Sequence, residues 1–141
     1  MPRYKKYLLE ILKVSESVYD LPMTSPKTIH EYMKEEAKAD REIFWILHLN
    51  NKNKIIKKEM TAMGATDHCV IVPGIILRSA VALGTPCIIT VHNHPSGDTA
   101  PSDEDKRLWR NMKEGCNLLG IRILDNLIIG NNSYYSETEH K

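Results

Sequence analysis

The chain has 141 residues, 42% of them hydrophobic and 26% charged, with a formal net charge of +1 and a pI of about 7.7. That length suits one domain with a real core, and the balanced charge supplies no global electrostatic drive toward nucleic acid. No apolar stretch reaches membrane-spanning length, no amino-terminal signal region stands out, and Cys69, Cys87 and Cys116 lack Cys-x-x-Cys spacing, so a reduced, cytoplasmic protein without a disulfide framework is expected.

In chain order, KKYLLEILKV (5–14) reads either as a strand or as a short helix. TSPKTIHEYMKEEAKADRE (24–42) reads as a helix: Ser25 suits the N-cap, Pro26 the first helical position, and Ile29, Tyr32, Met33 and Ala37 form one apolar face. EIFWILHLN (42–50) is nearly continuous apolar sequence rich in strand formers, as expected of a buried central strand. NNKN (50–53) then reads as a turn and KIIKKEM (54–60) as the returning strand of a hairpin. The basic runs RYKK (3–6) and KNKIIKK (52–58) have the character of solvated strand edges.

Pro73 opens a second helix, PGIILRSAVAL (73–83), which Gly84 closes. CIITV (87–91) is a short, β-branched, buried strand that runs straight into His92. Ser102 begins a third helix, with Leu108, Trp109, Met112, Cys116 and Leu119 at helical spacing and Gly120 as its stop. IRILDNLIIG (121–130) is a further strand, and NNSYYS (131–136) a turn with a short last strand. The order of elements predicts an α/β or α+β fold built on a mixed sheet.

The stretch TVHNHPSGDTAPSDED (90–105) carries the chemistry. Alternate side chains of a strand share a face, so His92 and His94 project to the same side, able to grip one ion at about 2.0–2.1 Å each. Pro95 stops the strand and Gly97 lets the chain turn sharply. Asp105 lies eleven residues beyond His94, in the first turn of the helix that Ser102 starts. A His-x-His pair and one acid make three ligands and leave a fourth tetrahedral position for water, the open arrangement of a catalytic zinc site. Taken alone, Ser102 and Asp105 are explained by helix capping, and Asp98, Asp103 and Glu104 by solvation. Capping requires neither histidine, so it is the conjunction that points to a metal.

Residues 92–105, His-x-His-Pro, six residues, then Ser-x-x-Asp, resemble the JAMM metalloprotease motif of the JAB/MPN family. HNHPSGD…PS…D followed by LLGIRILDNLIIG and YYS is most similar to the RadC branch, over roughly residues 25 to 136. The resemblance implies a mixed β-sheet flanked by helices, with cytidine-deaminase-like layering. One domain over 1–141 is expected, with a core at 25–136 and residues 1–24 as an amino-terminal extension. It also implies a Zn2+ ion held by His92, His94 and Asp105, and a Ser102 hydroxyl that hydrogen-bonds the reacting carbonyl oxygen while it caps its helix. The general base in this family comes from the start of an early central strand. Glu42, a lone acid at the mouth of an apolar strand, fits that place, although by itself it reads as the exposed end of the preceding helix. Glu59 is the other acid weighed for the base, His48 reads as a buried, hydrogen-bonded histidine, and no spacing rule brings His68 or Cys69 to a metal.

The function implied is hydrolysis of a peptide, isopeptide or related amide bond. The chain departs from the RadC pattern where Gly74 and Ile75 follow Pro73 in place of the usual charged pair, and where Asn126 replaces a histidine. Both changes bear on substrate recognition more than on metal binding. The helix-hairpin-helix region of longer RadC proteins is not expected here. The alternative function is an accessory protein of DNA metabolism or repair whose zinc is structural or vestigial, with Lys54, Lys57 and Lys58 as its nucleic-acid contacts. Expected partners are a peptide or isopeptide substrate and a second copy in a homodimer, with nucleic acid as the partner in the alternative function and no membrane.

Overall fold

A computed structural model describes residues 21–64 and 71–140. The segment 5–14, His68 and Cys69 lie outside the described residues. Five strands form one mixed sheet in the order β2-β1-β3-β4-β5. They are β1 (Ile43–Leu49), β2 (Ile55–Met63), β3 (Cys87–Asn93), β4 (Arg122–Ile129) and β5 (Tyr134–Ser136), with helices α1 (Pro26–Tyr32), α2 (Pro73–Leu83) and α3 (Asp103–Leu119). Strands β1 and β2 pair antiparallel, as do β1 and β3, and β4 and β5. Strands β3 and β4 run parallel, with α3 as the crossover between them.

Both faces of the sheet are covered, which explains why every residue of β3 is buried and why its sequence shows no polar alternation. On one face Ile29 and Met33 pack with Leu47, Leu49, Ile89, Val91 and Leu127. On the other, Ile76, Leu77 and Ala80 from α2 and Met112 and Cys116 from α3 pack with Phe44, Ile46 and Ile88. Each such large apolar side chain contributes on the order of 1.5–3 kcal/mol when withdrawn from water. This is the helix-flanked mixed sheet that the resemblance implied.

Local signals place most boundaries. Ser25 caps α1 through its hydroxyl, with Pro26 as the first helical residue. Helix α2 runs from Pro73 to a left-handed Gly84, and α3 ends on a left-handed Gly120, a conformation glycine adopts without steric cost. The first helix is shorter than its sequence suggests: it stops at Tyr32, and a 3-10 turn follows at Glu36–Lys38. That turn still buries Ala37, and Glu36 pairs with Lys58 of β2, so packing and charge rather than helical periodicity set the path there. Leu119 is half exposed rather than buried, because it lies at the end of α3 where the chain turns away at Gly120. Strand β2 extends past the expected 54–60 to Met63, and β3 past Val91 to Asn93. No described helix is long and apolar enough to cross a membrane.

Candidate metal centre

Three separate elements bring Glu42, His92, His94 and Asp105 to one place, each offering a ligand atom within 4.8 Å of the others. His92 is the penultimate residue of β3, paired with Phe44 of β1, and Glu42 sits two residues before Phe44 at the mouth of that strand. His94 follows the end of β3, and its backbone N–H donates to the Ile129 carbonyl, which keeps the chain beside β4. Asp105 comes from the first turn of α3. Glu42 is buried and preceded by non-helical residues, so it is not the exposed helix end that its local sequence suggests.

Asp105 reaches both rings: Oδ1 lies 3.2 Å from His92 Nε2 and Oδ2 lies 3.2 Å from His94 Nε2. Glu42 Oε1 stands further off, 3.7 Å from His92 Nε2 and 3.9 Å from His94 Nε2. Ser102 and Asp105 form a complete capping box even though the acid is aspartate: the Ser102 N–H donates to Asp105 Oδ2 at 2.9 Å, and the Asp105 N–H donates to Ser102 Oγ at 3.1 Å. The cap uses Ser102 Oγ only as an acceptor, so its own proton stays available, and the residue is exposed.

The donor set fits a divalent cation. His94 Nδ1 lies 2.8 Å from the Asp98 carbonyl, which can only accept, so the proton of the neutral ring is on Nδ1. The Nε2 lone pair then faces the Asp105 carboxylate, an opposition that needs a positive charge between or upon the two groups. The electrostatics agree: burial would lower the His94 pKa, but Asp105, the Asp98 carbonyl and Glu42 raise it above its ordinary value. Burial would likewise raise the Asp105 carboxyl, but the close His92 and His94 rings and the Ser102 amide hold it far below the usual carboxylate range. His92 is buried between Phe44 and Trp109, at ring separations of 5.6 and 6.4 Å, and neither ring nitrogen makes an aligned hydrogen bond. A buried imidazole left so is costly unless something else takes its lone pair.

Glu59 lies elsewhere. Its carboxylate accepts from His48 Nε2 at 3.1 Å and from the Ser79 hydroxyl, and His48 Nδ1 meets the Thr85 hydroxyl at 3.0 Å, so His48 is the buried, bonded histidine expected. Lys57 approaches Glu59 at 3.7 Å and Lys58 pairs with Glu36, which occupies two of the cations of the basic run. Asn126, buried, takes the Thr90 hydroxyl on its carbonyl and donates to Glu137, while a Cβ at Gly74 would have open space around it.

Asn93 escaped the sequence reading. It is fully buried between the two histidines, and its amide bonds the backbone on both sides of Glu42. The available signal was an amide at the end of a fully buried strand, set between two histidines.

A family model described as the RadC-like JAB domain matches residues 23–141. A UPF0758 protein of Histophilus somni is 37% identical over 136 residues, which is 96% of this chain and 59% of that protein. UPF0758 proteins of Carboxydothermus hydrogenoformans and Pelobacter propionicus are 34% and 38% identical, over 92% and 82% of this chain and 60% and 51% of their own lengths. The chain thus spans between half and three fifths of the curated relatives named here.

Proposed function

The chain belongs to the RadC-like JAB domain family, and from that premise we propose that it is a zinc-dependent hydrolase of the JAMM type, acting on a peptide, isopeptide or related amide bond. The observation that carries this reading is the convergence of Glu42, His92, His94 and Asp105 within 4.8 Å from three separate elements. His92, His94 and Asp105 would hold the ion, since the Asp105 oxygens stand closest to both Nε2 atoms. Bound zinc supplies Lewis acidity and brings the pKa of a water down toward about 7.

The remaining roles fall to groups of this chain. Glu42, further from the rings than Asp105, takes the proton from the water and returns it to the departing nitrogen. Ser102 turns its free hydroxyl proton toward the carbonyl oxygen and stabilises the negative charge that develops there. The capping bond from the Asp105 N–H holds the Ser102 oxygen in place for this. Phe44 and Trp109 shield His92 from water and fix its ring.

The test is metal content and hydrolysis of a peptide and isopeptide panel, measured together. Wild type should carry one zinc per chain, lost in His92→Ala, while Glu42→Gln keeps the metal and loses hydrolysis by about 10²–10⁴-fold. Absence of metal in wild type, even after zinc is supplied, sinks the reading.

A further inference from the structure

Resting on that assignment of the site, we propose that Asn93 is a positioning residue that sets where the Glu42 carboxylate stands. The β1–β3 ladder ends at the Phe44–His92 pair. One residue further along, the Asn93 side chain takes over from the backbone. Its Oδ1 accepts the Ile43 N–H at 2.8 Å, and its Nδ2 donates to the Arg41 carbonyl at 3.0 Å and the Ala39 carbonyl at 3.5 Å. The two shorter bonds flank Glu42, whose own carbonyl accepts the Gly64 N–H at 2.9 Å. The backbone of this one residue is therefore held on three sides.

The three-residue run His92-Asn93-His94 works on both faces of the sheet. The histidines present their rings to the metal site, and the asparagine between them, pointing the other way, grips the segment that delivers the carboxylate. Strand alternation makes this possible: a shift of Asn93 by one residue would put the amide among the rings. Only an amide meets the demands of the place, because it offers an acceptor to Ile43 and donors to two carbonyls at once. Serine or threonine is too short to span them, and an aspartate would set a carboxylate against both carbonyls. Glu42 and the histidines are about fifty positions apart in the chain, so a direct tether between them fixes a distance that packing alone would leave loose.

The experiment uses cobalt(II) as the probe metal, reading its visible spectrum and dissociation constant in wild type, Asn93→Ala, Asn93→Thr, Glu42→Gln and Asn93→Thr/Glu42→Gln. Hydrogen exchange of the Ile43 amide is followed in the metal-free proteins. Threonine suits a buried strand and guards against an alanine variant that does not fold. Loss of the tether should speed Ile43 exchange at least tenfold, shift the cobalt spectrum in the direction seen for Glu42→Gln, and weaken cobalt binding on the order of tenfold. In the Glu42→Gln background the Asn93 change should add nothing further to spectrum or affinity. A cobalt effect that persists in full in that background, or a folded Asn93 variant with a wild-type spectrum, overturns the proposal. Wild type that binds no cobalt defeats the hydrolase reading instead. The tether is then decided by Ile43 exchange alone, and unchanged exchange overturns it.

Discussion

Asp105 Oδ2 serves two partners at once, accepting the Ser102 N–H at 2.9 Å and standing 3.2 Å from His94 Nε2. The same carboxylate therefore closes the capping box of α3 and belongs to the group of four side chains that could hold a metal ion. The two duties separate by substitution. Asp105→Asn retains an oxygen for the cap but loses the charge, so it should lose zinc while the metal-free protein keeps the stability the cap contributes. Asp105→Ala should lose zinc and, in addition, about 0.5–1.5 kcal/mol of metal-free stability, read by urea unfolding of chelated protein. Equal stability of the two variants would show that the cap contributes nothing.

Ser102 divides differently. Ser102→Ala removes the N-cap acceptor of α3 and the proposed donor to the carbonyl oxygen, but no metal ligand. Zinc content should stay at wild type, metal-free stability should fall by about 1 kcal/mol, and turnover of any amide substrate found should fall about 10²–10³-fold. Turnover that falls only in proportion to stability would leave Ser102 as a cap and nothing more.

The His48–Glu59 pair predicts an acid sensitivity unrelated to the metal. Burial holds the His48 pKa below its ordinary 6.5, against the pull of Glu59. Burial would raise the Glu59 carboxyl, but bonds from Ser79 and His48 bring it below its ordinary 4.5. The signs work together. As pH falls through 6.5 the unfolded chain takes up a proton that folded His48 refuses, and stability drops. Glu59 contributes stability above 4.5 that is lost as pH falls through its lower folded value. The difference in unfolding free energy between wild type and His48→Gln should therefore shrink steadily from pH 7 to pH 5. A difference that stays flat over that range would show that His48 does not titrate as the structure requires.

Two of the four lysines in the basic run at 52–58 are engaged, Lys57 with Glu59 and Lys58 with Glu36. Replacing Lys54, Lys57 and Lys58 by glutamine should leave any binding of double-stranded DNA, and its dependence on salt, unchanged within error. A salt slope reduced by two or three would instead assign this edge strand to phosphate contact.

The sequence was most informative where its signals act over a few residues. Ser25 and Pro26 mark the start of α1, Pro73 and Gly84 bracket α2, and Ser102 and Gly120 bracket α3, because caps depend only on neighbouring backbone. The spacing of His92, His94 and Asp105 was legible for the same reason, as one strand end, one tight turn and one helix start. The early end of α1 at Tyr32 was not, since Ala37 is buried and Glu36 is paired through contacts that helical periodicity does not encode.

By itself, then, the sequence determined which residues have the chemistry to bind a metal and which short elements carry them. Tertiary structure alone decided that Glu42 stands within 4 Å of both rings and that Asn93 grips the backbone around it. Both depend on β1 lying antiparallel to β3 with Phe44 opposite His92, a pairing across almost fifty residues. Such a register is chosen by the burial of both sheet faces at once. A slip of one residue would turn the apolar set of β1 to the wrong layers and carry Glu42 away from the histidines.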